Sequence, residues 1–507
     1  MLKKLLIFLH RWLGVALCLF FLLWFPSGIG MMYWDFPGVT ADDRLERSAA
    51  IDPSTIRLSP SEAFASTAQL QAPSQARLTT FDNRPVYRFR VGRGDFTVYA
   101  DTGALQTQPV PAAIVERAAS AWVRQPASNA AVETLDEADQ WTVQGSFRAL
   151  GPLQKYAFAN GEQVYVSKTS GEVVQYTTRG SRVGAYLGPI PHWIYFTPLR
   201  KHYAAWNQVI VWSSGIATVT AALGIAIGIW MWSPSRRYRI EGAPSQLPYR
   251  GQKRWHALFG LIFGLGAVTW AFSGLLSMDP VPQMNERPRL DVPQALRGPL
   301  QLAAFAPKNP RQALSQLSDL RVKELELAVV AGEPVYLASA GRGQTRVVPV
   351  AGPPRDTFDR DRIVHVVDAA AQPDPIVDAR VMDRYDAYYL DRHHTRPLPV
   401  MLVRLGDGDH TRYYIDLKTA RVVGSYSSRT WMSRWLYHGL HSLDFPWLYD
   451  YRPLWDVVVI TFMAGGTALC VTSLILAWRV LGRKLGAAFA GSTSEATRFS
   501  DDLTIEA

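Results

Sequence analysis

Four of the ten histidines in this 507-residue chain recur in register, and what recurring imidazoles can build is a pair of metal ligands. His10 stands at the start of the apolar run Leu9-His10-Arg11-Trp12-Leu13-Gly14 that continues to Trp34. A shift of 246 residues, the interval from His10 to His256, also carries Gly14 to Gly260, Trp24 to Trp270, Ser27 to Ser273 and Gly28 to Gly274. A shift of 249 carries Trp206 to Trp455, and with it His192 to His441, Phe196 to Phe445 and Leu199 to Leu448. His202 and His438 lack such partners, since their counterparts are Tyr451 and Pro189. Two histidines facing each other across a helix bundle supply one neutral imidazole to each face of a b-type haem iron. Two pairs at two depths would hold two haems, with Arg11 and Arg254 beside the inner pair, and Arg200 and Arg452 near the outer one, available to haem propionates. The plainer reading is that histidines at helix ends sit solvated among lipid headgroups, and a duplication copies a bystander as faithfully as a ligand. Against it stands the cost of ionisable groups in membrane spans, which marks them as functional candidates.

Other polar motifs carry less. His438 and His441 lie one helical turn apart, but a structural zinc site needs about four ligands and no Cys or further His is close in sequence. His393-His394 falls in a polar, Arg-rich loop, read as a solvated turn or as a contact for an anionic substrate. Trp24 and Trp270 read as packing, and Gly215, Gly224, Gly228, Gly260, Gly264, Gly266, Gly465 and Gly466 as sites of close helix approach. Cys18 and Cys470 are the only cysteines, so no Cys-x-x-Cys-His attaches a haem covalently. No phosphate loop, dinucleotide fingerprint or hydrolytic arrangement is present, so no catalytic residue is assigned and the electron donor comes from elsewhere.

The elements that must position these residues are membrane helices. Hydrophobic residues make up 48% of the chain, with 17 Trp, yet mean hydropathy is near zero, so apolar spans alternate with water-exposed segments. Four runs reach the roughly 20 residues that cross a bilayer: about Leu5–Trp34, Trp206–Trp232, Trp255–Met278 and Leu454–Val480. The first is too long and aromatic for a signal peptide and reads as an uncleaved anchor. Lys3 and Lys4, the six basic residues between Arg236 and Arg254, and Arg479, Arg483 and Lys484 all flank one side, which becomes cytoplasmic. The chain therefore divides into spans at 1–34, 201–233, 254–278 and 451–482, periplasmic regions at 35–200 and 279–450, a cytoplasmic loop at 234–253 and a cytoplasmic tail at 483–507, disordered from Gly486. The net charge of +10 serves topology and anionic lipid rather than nucleic acid.

The two long regions read as α+β. Pro85–Val91 alternates sides, turns at Gly92-Arg93-Gly94-Asp95 and returns through Phe96–Ala100. A second hairpin follows at Tyr156–Phe158 and Gln163–Val166, and the later region echoes both around Pro334–Leu337 and Tyr413–Val423. The expected fold is a four-span α-helical bundle with two extracytoplasmic α+β segments, a tandem duplication of a helix, α+β, helix unit.

Leu9-His10-Arg11-Trp12-Leu13-Gly14 with Ser27-Gly28, and Trp255-His256 with Ser273-Gly274, resemble the PepSY-associated transmembrane helix family; the Val-Tyr to Asp-Thr-Gly hairpins look like its PepSY modules. That family includes iron-regulated membrane proteins and inner-membrane ferric-siderophore reductases with b-type haems. The resemblance implies haem ligands at His10, His256, His192 and His441. The third span departs from the pattern by reading Arg-Trp-His-Ala, which moves Arg254 to the other side of its histidine. It further implies a bacterial inner-membrane oxidoreductase that takes electrons from an unidentified donor through two haems b to a periplasmic ferric siderophore. The rival reading is non-enzymatic: a membrane-anchored PepSY module that restrains a secreted protease.

Overall fold

The computed structural model describes residues 1–280 and 290–502, with side chains to Arg483 in the last helix. The chain forms two compact units, one built from residues 1–36, 183–281 and 435–507, the other from 37–182 and 282–434.

The first unit holds four helices long and apolar enough to cross a membrane: Leu2–Gly30, Tyr203–Met231, Gly251–Leu276 and Leu454–Arg483 within the longer helix Leu454–Asp502. They are called the first to fourth spans below. The first and third spans each pack against the second and the fourth, which closes a four-helix bundle. A 29-residue span is about 43 Å long, more than a hydrocarbon core of about 30 Å requires, so its ends reach the headgroup zones. Pro234 and Pro453 mark the ends of the second span and the start of the fourth, because proline disfavours helix in the residue before it. Two short segments accompany the spans: the helix Pro189–Trp193, and the π-helical turn Met432–Gly439 running into Leu440–Ser442. Residues 183–200 and 435–450, read from sequence as parts of the periplasmic regions, thus belong to the helical unit. The last helix also continues to Asp502, past Gly486 where the sequence suggested a disordered tail. A helix already nucleated by a span propagates at little cost through good formers such as Ala487 and Ala488. Residues 281–289 and 503–507, parts of the expected second outer region and tail, lie outside the described residues.

The second unit carries the sheets. Strands β1 (Gln75–Phe81), β2 (Arg84–Val91) and β3 (Gly94–Tyr99) form an antiparallel meander. After β4 (Ala130–Leu135), β5 (Leu153–Phe158), β6 (Gln163–Ser167) and β7 (Val173–Thr177), the small hairpin β8 (Tyr238–Ile240) and β9 (Ala243–Ser245) joins the second and third spans. The later half adds β10 (Glu324–Val330), β11 (Glu333–Gly341), β12 (Gln344–Pro349), β13 (Ile376–Met382), β14 (Val400–Leu405), β15 (Arg412–Asp416) and β16 (Arg421–Tyr426). The first meanders of the two halves fuse: β1 pairs with β10, giving one six-stranded sheet in the order β12-β11-β10-β1-β2-β3. The register centres on Arg77 opposite Glu326, residues 249 apart, with Ala76 opposite Leu327 and Leu78 opposite Leu325. Its core includes Leu78, Tyr87, Phe89, Phe305, Leu325 and Tyr336. Tyr87 and Tyr336, fully buried, donate their hydroxyls to Leu58 and Lys308 carbonyls at 2.8 and 2.7 Å, which meets the requirement that buried polar atoms find partners. Apart from the β8-β9 ribbon, which lies in the helical unit, the remaining strands make two four-stranded sheets, β4-β5-β6-β7 and β13-β14-β15-β16.

Candidate functional site

The four recurring histidines meet as two pairs inside the helical unit. His10 of the first span faces His256 of the third with ring centres 6.1 Å apart and planes at 38°. His192 and His441, from the two short helices, face each other at 5.9 Å and 67°. His10 and Ser27, which contacts His192, lie 17 residues apart on one helix, so the two pairs are separated by about 25 Å along the bundle.

Each ring is tied to protein through Nδ1. His10 Nδ1 lies 3.0 Å from the Thr220 carbonyl of the second span. A carbonyl only accepts, so Nδ1 carries the proton and Nε2 keeps a lone pair. His256 Nδ1 lies 3.3 Å from both Thr472 Oγ1 and Ser473 Oγ of the fourth span. Both hydroxyls donate to the Leu469 carbonyl, at 2.7 and 3.0 Å, and are left to accept from the ring. The same logic holds for the other pair. His192 Nδ1 is 3.2 Å from Ser27 Oγ and 3.2 Å from the Trp24 carbonyl, while Ser27 donates to Leu23. His441 Nδ1 is 3.0 Å from Ser273 Oγ, which donates to Trp270 at 3.2 Å. All four imidazoles are therefore fixed as Nδ1–H tautomers with Nε2 available to a metal, the arrangement that second-shell hydrogen bonds impose on ligating histidines. Enclosure by protein pushes His192 down to about 4 and His441 down to about 3, so both are neutral at neutral pH.

Small residues make room for this geometry. A Cβ on Gly30 would stand 2.5 Å from the Leu187 carbonyl oxygen, and one on Gly188 2.8 Å from the Gly30 carbonyl carbon. This contact brings the helix Pro189–Trp193 against the first span and sets His192 beside Ser27. A Cβ on Gly224 would lie 2.7 Å from His10 Cε1, so that glycine accommodates the imidazole. Gly465 and Gly466 likewise receive the rings of Phe263 and Phe25, where a Cβ would stand at 2.5 and 2.3 Å. The sequence reading of these glycines as sites of close helix approach is corrected at Gly224, Gly465 and Gly466: what approaches is a ring.

A cavity of about 280 Å³ opens on His192 and His441. Phe21, Trp24, Phe25, Trp193, Tyr195, Trp206, Trp270, Tyr437 and Met463 are among its walls. Aromatic contacts continue from Trp270 through Phe462, Phe263 and Phe259 to Trp255, the neighbour of His256, at centroid distances of 6.2, 5.9, 6.4 and 5.7 Å. A string of aromatic rings thus runs from the cavity toward His256.

The arginines separate into three situations. Arg11 is exposed and lies over Phe8 and Trp12 at 5.9 and 5.7 Å; Arg254 is exposed. Arg452 grips Asp456 with bonds of 2.9 and 2.6 Å. Arg200 is buried. Away from these pairs, His393 accepts from Arg392 Nε at 2.8 Å and the His394 ring lies 5.3 Å from that of Tyr385, tilted by 58°, both in the β13 to β14 loop. Among the described residues no group of three or more His, Cys, Asp and Glu could hold a bare metal ion.

Sequence reasoning missed the Nδ1 partners and Tyr437. Ser27 and Ser273 were visible as residues that travel with the histidines, but their role needed the short helices to fold back onto the spans. Tyr437 carried no signal, because the residue 249 positions before it is Gly188.

A metal between two imidazole nitrogens at about 2 Å each, with the ring radii added, sets the ring centres about 6 Å apart. Both observed pairs have that spacing. A family model described as the PepSY-associated TM region matches residues 7–318, which include His10, His192 and His256. No curated protein matches the chain.

Proposed function

The chain belongs to the PepSY-associated TM region family, and from that premise we propose that it is a dihaem b oxidoreductase of the bacterial inner membrane that reduces a periplasmic ferric chelate, a ferric siderophore. The observation that carries this reading is the pair of facing Nδ1–H histidines at each of two depths, spaced at 6.1 and 5.9 Å. His10 and His256 would hold one haem, His192 and His441 the other. Haem iron with two imidazole ligands supplies one-electron transfer between ferric and ferrous states. The protein's part is to orient the imidazoles through Thr220, Thr472, Ser473, Ser27 and Ser273, and to exclude water with the aromatic fill. Reducing a ferric chelate weakens the hold of hard oxygen ligands on the metal, which releases it. The basic residues flanking the spans support cytoplasmic termini and a periplasmic β-rich unit.

We also infer that the chain is a tandem duplication. Matched contacts support it: Trp206 Nε1 donates to the Trp193 carbonyl at 2.8 Å, and Trp455 Nε1 to that of Ser442 at 3.0 Å, both 249 residues on. The Asp139 carboxylate accepts from the Tyr165 hydroxyl at 2.7 Å, and that of Asp386 from Tyr414 at 2.7 Å.

The visible spectrum of the purified protein tests the proposal. Expected are a Soret band and sharp α/β bands on dithionite reduction. His10→Ala and His256→Ala should remove the same component and leave the other. A colourless preparation from iron-replete cells would refute the reading and favour a membrane-anchored module that restrains a secreted protease.

A further inference from the structure

Arg200 is a buried cation that the histidine pairs leave unexplained. It ends the short helix Thr197–Arg200, directly before the second span, and is only 7% exposed. Its guanidinium lies over three rings, 4.4 Å from Trp206, 4.8 Å from Tyr195 and 5.3 Å from Tyr203. Its Nε is wholly buried with no hydrogen-bond partner, and among the described residues no carboxylate reaches it. Ring faces offset part of the cost of desolvating a cation, but they give a guanidinium no in-plane acceptor. A charge taken out of water needs an opposite charge or a full set of hydrogen bonds. Arg452 has that partner in Asp456, whereas Arg11 and Arg254 are exposed on the bundle surface. Two of the three rings, Trp206 and Tyr195, are walls of the cavity that holds His192 and His441.

We propose that Arg200 is the anion-binding residue of the outer site, and that it takes a carboxylate at the edge of the ring group held by His192 and His441. The inference rests on the function proposed above. A planar fork of donors suits a carboxylate, which it grips with two parallel hydrogen bonds. A lipid phosphate is the weaker candidate, since Arg200 is covered by three side chains while headgroups meet exposed cations. The charge of Arg200 also favours the more reduced state of a neighbouring centre, and so raises its potential.

The test compares the full-length protein with R200M and R200K by haem content and by spectroelectrochemical titration. R200M should hold the outer component about ten- to a hundredfold more weakly, the loss of a charged hydrogen bond, and lower its potential, with the inner component unchanged. R200K, which keeps the charge but not the fork, should restore the potential more fully than the retention, and if R200M does not fold the weaker haem retention of R200K alone carries the test. R200M with both components retained and both potentials unchanged would overturn the inference while leaving the two-haem reading intact. Wild-type protein without haem would overturn both. If stripping lipid from the wild type raises the outer potential, because the Arg200 charge is freed from a phosphate, the anion is a lipid phosphate and the proposal fails.

Discussion

Ser273→Ala should damage the outer pair more than Ser27→Ala, although the two serines are equivalent by position. His192 Nδ1 has two acceptors at 3.2 Å, Ser27 Oγ and the Trp24 carbonyl. Removal of the Ser27 hydroxyl leaves the carbonyl, so the ring keeps its tautomer and orientation. The hydrogen bond that His441 Nδ1 makes is to Ser273 Oγ at 3.0 Å, and the Trp270 carbonyl is only a nearby substitute. Its loss leaves the N–H with only the Trp270 carbonyl, at poorer geometry than the Trp24 carbonyl offers His192, a cost of up to about 1–3 kcal/mol, or at most roughly ten- to a hundredfold in binding. Ser27→Ala should fall below that range. The assay is haem retention and midpoint potential of the outer component, with Ser273→Thr as the variant that restores the hydroxyl. Equal behaviour of Ser27→Ala, Ser273→Ala and wild type would refute the claim that these hydroxyls orient the ligands.

Gly224→Leu should remove the inner component and spare the outer, because any Cβ there stands 2.7 Å from His10; absorption of the reduced protein reads this out. Glu326 bridges Arg297 and Arg421 at 2.6 Å each, and these groups are partly solvated. Glu326→Gln should therefore destabilise the β-rich unit by only about 1 kcal/mol, visible as a small salt-dependent fall in calorimetric Tm. Burial alone would raise the Asp391 carboxyl, but hydrogen bonds from Thr395, His393 and Arg396 outweigh it and hold it down to about 2. Its contribution is therefore present above about pH 4 and lost as pH falls through about 2. Hydrogen exchange in residues 391–396 should accelerate across that window, and Asp391→Asn should remove the pH dependence.

How much of this was legible depended on the kind of signal. His10 and His256 announced themselves because polar residues are costly in apolar runs, and the fixed shift paired them. His192 and His441 were found only through the second shift, and assigned to the outer regions, because sequence hydropathy does not show a short helix folding back against a span. Gly30 and Gly188 permit that fold through a backbone contact between residues 158 positions apart. The arginines were read by proximity in sequence, which could not separate the exposed Arg11 and Arg254 from Arg452, held by Asp456, or from the buried Arg200.

By itself the sequence determined the spans, the strands of the outer hairpins and the partners of the four histidines, because hydrophobic period, turn residues and repeat offset are properties of a chain read in order. Tertiary structure decided which nitrogen of each imidazole is free, which glycines receive rings, and that β1 and β10 join the halves in one sheet. These depend on atoms brought together from distant positions: a hydroxyl already committed to Leu469, a carbonyl at Thr220, a strand edge centred on Arg77 and Glu326. Pairing edges and assigning protons are problems of geometry, and the linear spacing of residues does not contain them.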